Sequence, residues 1–167
     1  MTITEVRAAY GSTIEALANI IGVPPAAGSV SNYVNIVSGI IEQESGGNPD
    51  AIGDNGCSLG LMQLNTCAGW LQQYGYTNDN LFDPAININY GCQYLNSLLN
   101  QYYNIDQAIS AYNAGHPTSI NQDYVASILN YMKQLGAYVL SNPILIAAAI
   151  GGGVLIFWYF PKERKSR

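Results

Sequence analysis

The chain has 167 residues, is 49% hydrophobic and carries a formal net charge of −5 at pH 7. That is enough apolar material for one core of ordinary domain size and too acidic for a nucleic-acid surface. The charge is divided unevenly: residues 1–142 hold ten acids against Arg7 and Lys133, whereas the last seven residues hold four bases against Glu163.

In chain order, "MTITEVRAAYGSTIEALANIIG" lacks the basic start and continuous apolar stretch of a secretory leader and predicts a short amphipathic helix. The Gly, Pro and Ser of "GVPPAAGSVSN" separate it from the next apolar run, so residues 1–30 are expected as a helix and linker. Val34, Val37, Ile40, Ile41 and Glu44 then recur at helical spacing, and Ser45-Gly46-Gly47 stop the helix. The turn-rich "NPDAIGDNGCSLGLMQLN" predicts a loop or small hairpin, with Asn55-Gly56 at a tight turn.

A short helix is expected near "CAGWLQQYG". Asp83-Pro84 supplies the cap and first-turn pair of a long helix with Ile88, Cys92, Leu95, Leu99 and Tyr102 on one side. "DQAISAYNAG" predicts a helix stopped by Gly115, and "QDYVASILNYMKQL" another, with Val125, Ile128, Leu129, Met132 and Leu135 at helical spacing. The domain over residues 31–138 is therefore expected to be mainly α.

From Pro143 to Phe160 no residue is charged, and as a helix this stretch is about 27 Å long. Residues 142–160 are expected as a C-terminal transmembrane helix with a lipid partner, and residues 161–167 as its basic tail. The positive-inside rule puts the tail on the cytoplasmic side, giving a single-pass protein of a virion or bacterial inner membrane with its domain facing the periplasm. Ala147 with Gly151, Ala148 with Gly152 and Ala149 with Gly153 are spaced for self-association or contact with another membrane protein, or belong to a merely flexible apolar helix.

Cys57, Cys67 and Cys92 lack metal-ligand spacing, and no metal or other cofactor is expected. An odd count allows at most one internal bridge. Cys67 with Cys92 is the favoured pair, since both fall near the starts of neighbouring predicted helices; three buried free thiols are the plainer reading.

Glu44 lies on the apolar stripe at a helix C-terminus. The helix dipole and the neighbouring Ile40 and Ile41 both favour its neutral form, and a carboxyl protonated near neutral pH can donate a proton to a leaving oxygen. The structural alternative is a glutamate at a frayed helix end.

Taken in order, "ES" at 44–45, "GLMQL" at 60–64, "LFDPAININYG" at 81–91, "AYNAG" at 111–115 and "YV" at 124–125 resemble the soluble lytic transglycosylase family over roughly residues 33–135. The resemblance implies a lysozyme-like fold, α+β with a minimal hairpin. It also implies cleavage of the β-1,4 bond between N-acetylmuramic acid and N-acetylglucosamine in peptidoglycan glycan strands. Glu44 would be the lone acid and base, the substrate's acetamido group and C6 hydroxyl would replace a second carboxylate and water, and a 1,6-anhydro sugar would result. Tyr112, as the second catalytic residue, and Asn113 would sit near Glu44 and orient the acid and the acetamido group, Met62 and Gln63 would line or underlie the cleft, Tyr124 would border it, and Ser45 would fix the loop. Asn87 and Ile88 match an internal "NI" taken as structural.

Two departures matter. Many relatives carry a serine about nine residues after the acid, bonding the acetamido group or the acid; here that place is Gly53, and Ser58 is the candidate to compensate. His116-Pro117 also departs from the family's usual continuation and is assigned no role. Asp50 and Asp54 are candidates for a second acid, with turn formation as the simpler role. The expected purpose is local wall opening so that a phage particle or its genome can pass. Alternatives are a water-using muramidase, a non-catalytic virion component docking on peptidoglycan, and an accessory transglycosylase of a secretion or conjugation apparatus.

Overall fold

The computed structural model describes residues 1–67, 77–115 and 120–141. Contacts divide the chain into two units, Met1–Leu135 and Gly136–Arg167. The first holds the site.

Helix α1 (Ile3–Ile21) starts at a capping box, in which the Thr2 side chain accepts from the Glu5 N–H and the Glu5 carboxylate accepts from Thr2. It buries Val6, Ile14 and Ala18 in the common core. A short 3-10 turn (Pro25–Ala27) leads to α2 (Val30–Ser45), capped by Ser29, whose hydroxyl oxygen accepts from the Asn32 N–H. Every residue from Tyr33 to Ile41 is buried, so the middle of α2 is enclosed on all sides rather than on one stripe. Gly39 permits this on one face: a Cβ there would meet Ile128 at 3.3 Å.

Three two-residue strands come next, β1 (Ile52–Gly53), β2 (Ser58–Leu59) and β3 (Leu64–Asn65), paired antiparallel in that order with Ile52 opposite Leu59 and Leu59 opposite Leu64. The expected hairpin is thus the first half of a three-stranded sheet. Asp54 and Asn55 turn the chain with φ of 48° and 53°, a left-handed conformation that Asp and Asn tolerate better than most residues.

Helix α3 (Pro84–Tyr102) begins as its sequence predicts, with Pro84 in the first turn and the Asp83 carboxylate accepting from the Ile86 N–H at 3.0 Å. Helix α4 (Ile105–Ala114) is closed by Gly115, and α5 (Gln122–Ser141) completes the order. The expected helix near "CAGWLQQYG" and His116-Pro117 fall largely or wholly outside the described residues.

Two expectations need correction. Cys57 is bridged to Cys67, and Cys92 is buried and free. The pairing Cys67–Cys92 fails because Cys92 points into the core of α3, whereas Cys57 and Cys67 sit at the outer ends of β2 and β3 with Cα atoms 5.4 Å apart. The fold class of a mainly α domain holds, but its transmembrane appendage does not: among the described residues no helix is long and apolar enough to cross a membrane. The helices α1, α3 and α5 have 19 or 20 residues, yet each alternates apolar and polar faces. Residues 142–160, where the sequence places the anchor and its Ala/Gly face, lie outside the described residues. Single-pass membrane location and the lipid partner are dropped accordingly.

Candidate active site

Glu44 stands in the last turn of α2, whose end is set by Gly46 in the left-handed conformation at the C-cap. Ser45 stabilises this end: its hydroxyl donates to the Ile41 carbonyl at 3.1 Å and accepts from the Gly47 N–H at 3.2 Å. Ser45 therefore points back along the helix. The glycine loop is held from the other side by α1, with the Tyr10 hydroxyl donating to the Gly47 carbonyl at 3.2 Å and the Met1 amine to the Gly46 carbonyl at 2.6 Å.

Glu44 opens into a polar cavity of about 310 Å³ lined also by Asp54, Ser58, Gln63, Asn65, Tyr112 and Asn113. The hydroxyl that meets the acid is that of Tyr124, which donates to Glu44 Oε1 at 2.5 Å from the start of α5. Tyr112 donates instead to the Met62 carbonyl at 3.0 Å, and its ring lies 5.3 Å from that of Tyr94.

The turn that leads to Gln63 is built on Asn87. This fully buried side chain donates to the carbonyls of Leu59 at 3.0 Å and Leu81 at 2.8 Å and accepts from the Met62 N–H at 2.8 Å. It pins the β2–β3 turn to α3. Gly60 is required here, because it has φ +74° and a Cβ would strike Asn87 and the Leu81 carbonyl. Met62 is wholly buried and does not line the cavity; a Cβ at Gly91 would run into its thioether.

Gln63 follows with φ 46°. Its amide N–H groups donate to the carbonyls of Ala51 at 3.2 Å and Gly60 at 2.9 Å, which fixes the orientation of the amide. Its Oε1 occupies the space where a side chain at Gly53 would begin. Ser58, on β2, is buried and donates to Asp54 Oδ2 at 2.5 Å. Asn113 lines the cavity while accepting from the Asn121 amide at 2.9 Å.

Burial raises the pKa of Glu44 above the ordinary carboxyl value; the Tyr124 hydrogen bond opposes this, and the nearby Asp54 charge adds to it. Tyr112 and Tyr124 are pushed upward by burial first and by the Glu44 charge second, so both phenols stay protonated and able to donate. The site thus holds one carboxyl poised to keep its proton and neutral donors around it. Among the described residues no group of three or more His, Cys, Asp or Glu side chains could hold a metal ion.

Of the residues singled out from sequence, Glu44, Ser58, Gln63, Tyr112 and Asn113 are brought together on the cavity, and Tyr124 joins through its bond to Glu44. Ser45 and Met62 support it from behind. Asp54, weighed from sequence as a second acid or a turn former, also lines the cavity, whereas Asp50 does not, and Asn65 was missed. Asn65 has no signal in the sequence, since Gln63 before it sits at φ 46° outside the strand and the two-residue alternation does not reach back to it.

The family description "Transglycosylase SLT domain" matches residues 26–137 of this chain. The chain is 35% identical over 80 residues to the protein named "Transglycosylase" of Enterobacteria phage PRD1, which covers 48% of this chain and 28% of that protein. It is 35% identical over 106 residues to "Invasion protein IagB" of Salmonella typhimurium, covering 58% of this chain and 66% of the relative. With "Protein IpgF" of Shigella flexneri it shares 33% identity over 86 residues, 48% of this chain and 57% of that one. The chain therefore spans less than two thirds of the length of each of these relatives, and no solved structure matches it. With the family description covering well over half of its length, the chain belongs to the transglycosylase SLT domain family.

Proposed function

We propose that this domain is a peptidoglycan lytic transglycosylase that cleaves the β-1,4 bond between N-acetylmuramic acid and N-acetylglucosamine. The observation that carries this reading is Glu44 itself, a carboxyl whose pKa is raised by burial, hydrogen-bonded to Tyr124 and open to a polar cavity. Glu44 gives its proton to the leaving glycosidic oxygen. The acetamido oxygen of the muramyl residue closes on C1, and the C6 hydroxyl then displaces it as Glu44 takes back a proton. No water is consumed, and the product is a 1,6-anhydro sugar.

A water-using muramidase is the second reading, favoured by one observation: Asp54 shares the cavity with Glu44, and paired carboxylates serve hydrolysis by either stereochemical course. The purpose we infer is local opening of the wall as a phage or its genome passes it. The phage protein named "Transglycosylase" among the relatives supports this.

Digestion of purified sacculi by the full chain, with released fragments weighed by mass spectrometry, tests the chemistry. Anhydro-muropeptides are expected, and Glu44→Gln should reduce their release on the order of a thousandfold. Fragments heavier by one water would establish the muramidase, and binding without release would leave only a docking role.

A further inference from the structure

The place where many relatives carry a serine for the acetamido group is closed in this chain. Residue 53 is glycine, and Gln63 Oε1 fills the space its side chain would need. Ser58 does not replace that serine as a donor, because its hydroxyl proton is directed at Asp54 Oδ2. The same bond fixes the Asp54 carboxylate at the cavity wall with its other oxygen still to be used.

We propose that Asp54, oriented by Ser58, accepts the acetamido N–H of the muramyl residue in the cavity and stabilises the oxazolinium ion formed there. The proposal rests on the transglycosylase reading. In the first step the C1–O4 bond breaks, the Glu44 proton passes to O4, and the acetamido oxygen bonds to C1. Positive charge then spreads over the ring and its N–H, which an ionised carboxylate stabilises far better than an amide or hydroxyl oxygen. In the second step O6 bonds to C1, the acetamido oxygen departs and the O6 proton returns to Glu44. Asp54 gains and loses no proton in either step, so no co-reactant is required.

Asp54 turns the chain at φ +48°, a conformation that Asp tolerates, and the buried Ser58 aims its carboxylate. The Asp54 charge also helps Glu44 retain its proton, so one residue serves both partners of the step.

The test compares the full chain with Asp54→Asn, Asp54→Gly and Ser58→Ala in sacculus digestion and in binding of the 1,2-fused thiazoline of N-acetylglucosamine, a stable likeness of the bicyclic ion. Asp54→Gly relieves the turn and controls for folding. Both Asp54 variants should slow anhydro-sugar release about a hundredfold and weaken thiazoline binding about tenfold or more, and Ser58→Ala should cause a smaller loss of both. Wild-type anhydro release with unchanged rates in the Asp54 variants would overturn this inference alone. Reducing-end products from the wild type, or no products, would overturn the transglycosylase reading and the inference with it.

Discussion

Glu44 ties the chemistry of the site to the stability of the fold. Its folded pKa lies above the unfolded value, so the native state binds this proton more tightly than the unfolded chain does. Stability is accordingly lost as pH rises from the unfolded pKa through the folded one, and the full penalty is present above both. Glu44→Gln removes the penalty. Thermal unfolding should show the variant more stable than the wild type at neutral pH, with the difference vanishing in acid; a variant equally stable or weaker at neutral pH would contradict the assignment. Activity, which needs the protonated acid, should fall as pH rises through the same pKa. Tyr124→Phe deletes the bond that lowers that pKa, so the alkaline limb of the rate profile should move up even as the rate drops. Asp54→Asn deletes the charge that raises it, and the limb should move down. Opposite shifts in the two variants are a signature that general loss of packing does not produce.

Among the elements, the five α-helices of the described residues were legible because apolar residues recur at helical spacing and because Asp83-Pro84 and Gly115 mark ends by their own chemistry. The sheet was legible only as a turn. Strands of two residues have no period to read, and the turn between β2 and β3 is held from α3 by one side chain. Asn87 satisfies the Leu59 and Leu81 carbonyls and the Met62 N–H inside the core. Sequence alone marked it as structural through the matching "NI", without its partners. Asn87→Ala strands these buried groups at once, for which a loss of about 3 kcal/mol or more is expected in urea unfolding. Below the transition the variant should also lose activity, because the turn that Asn87 pins is the one that carries Gln63.

Over the whole unit, the reading from sequence failed where distance along the chain misleads. The sequence marks residues 1–30 as a helix and linker without showing what the helix packs on, and α1 shares the core and holds the loop after Glu44 through Tyr10. The error of distance governs the cysteines: helix starts suggested Cys67 with Cys92, while the sheet brings Cys57 to Cys67. The bridge closes a short loop over β2 and β3 beside the cavity, and the Thr66 N–H and hydroxyl both donate to the Cys57 carbonyl within that loop. Loop-closure entropy assigns such a bridge a contribution of about 2–3 kcal/mol. Cys92 differs in kind, since burial pushes its thiol up to about 12 and leaves it unreactive in the native state. Alkylation of the native, unreduced chain should therefore modify no cysteine, alkylation after mild reduction should modify Cys57 and Cys67, and Cys92 should react only on unfolding. Labelling of Cys57 before reduction would show that the bridge lies elsewhere. If the pattern holds, Cys57→Ser with Cys67→Ser should lower the unfolding midpoint while Glu44 keeps its alkaline limb, because the Tyr124 bond and the Asp54 charge that tune that pKa both come from outside the bridged loop.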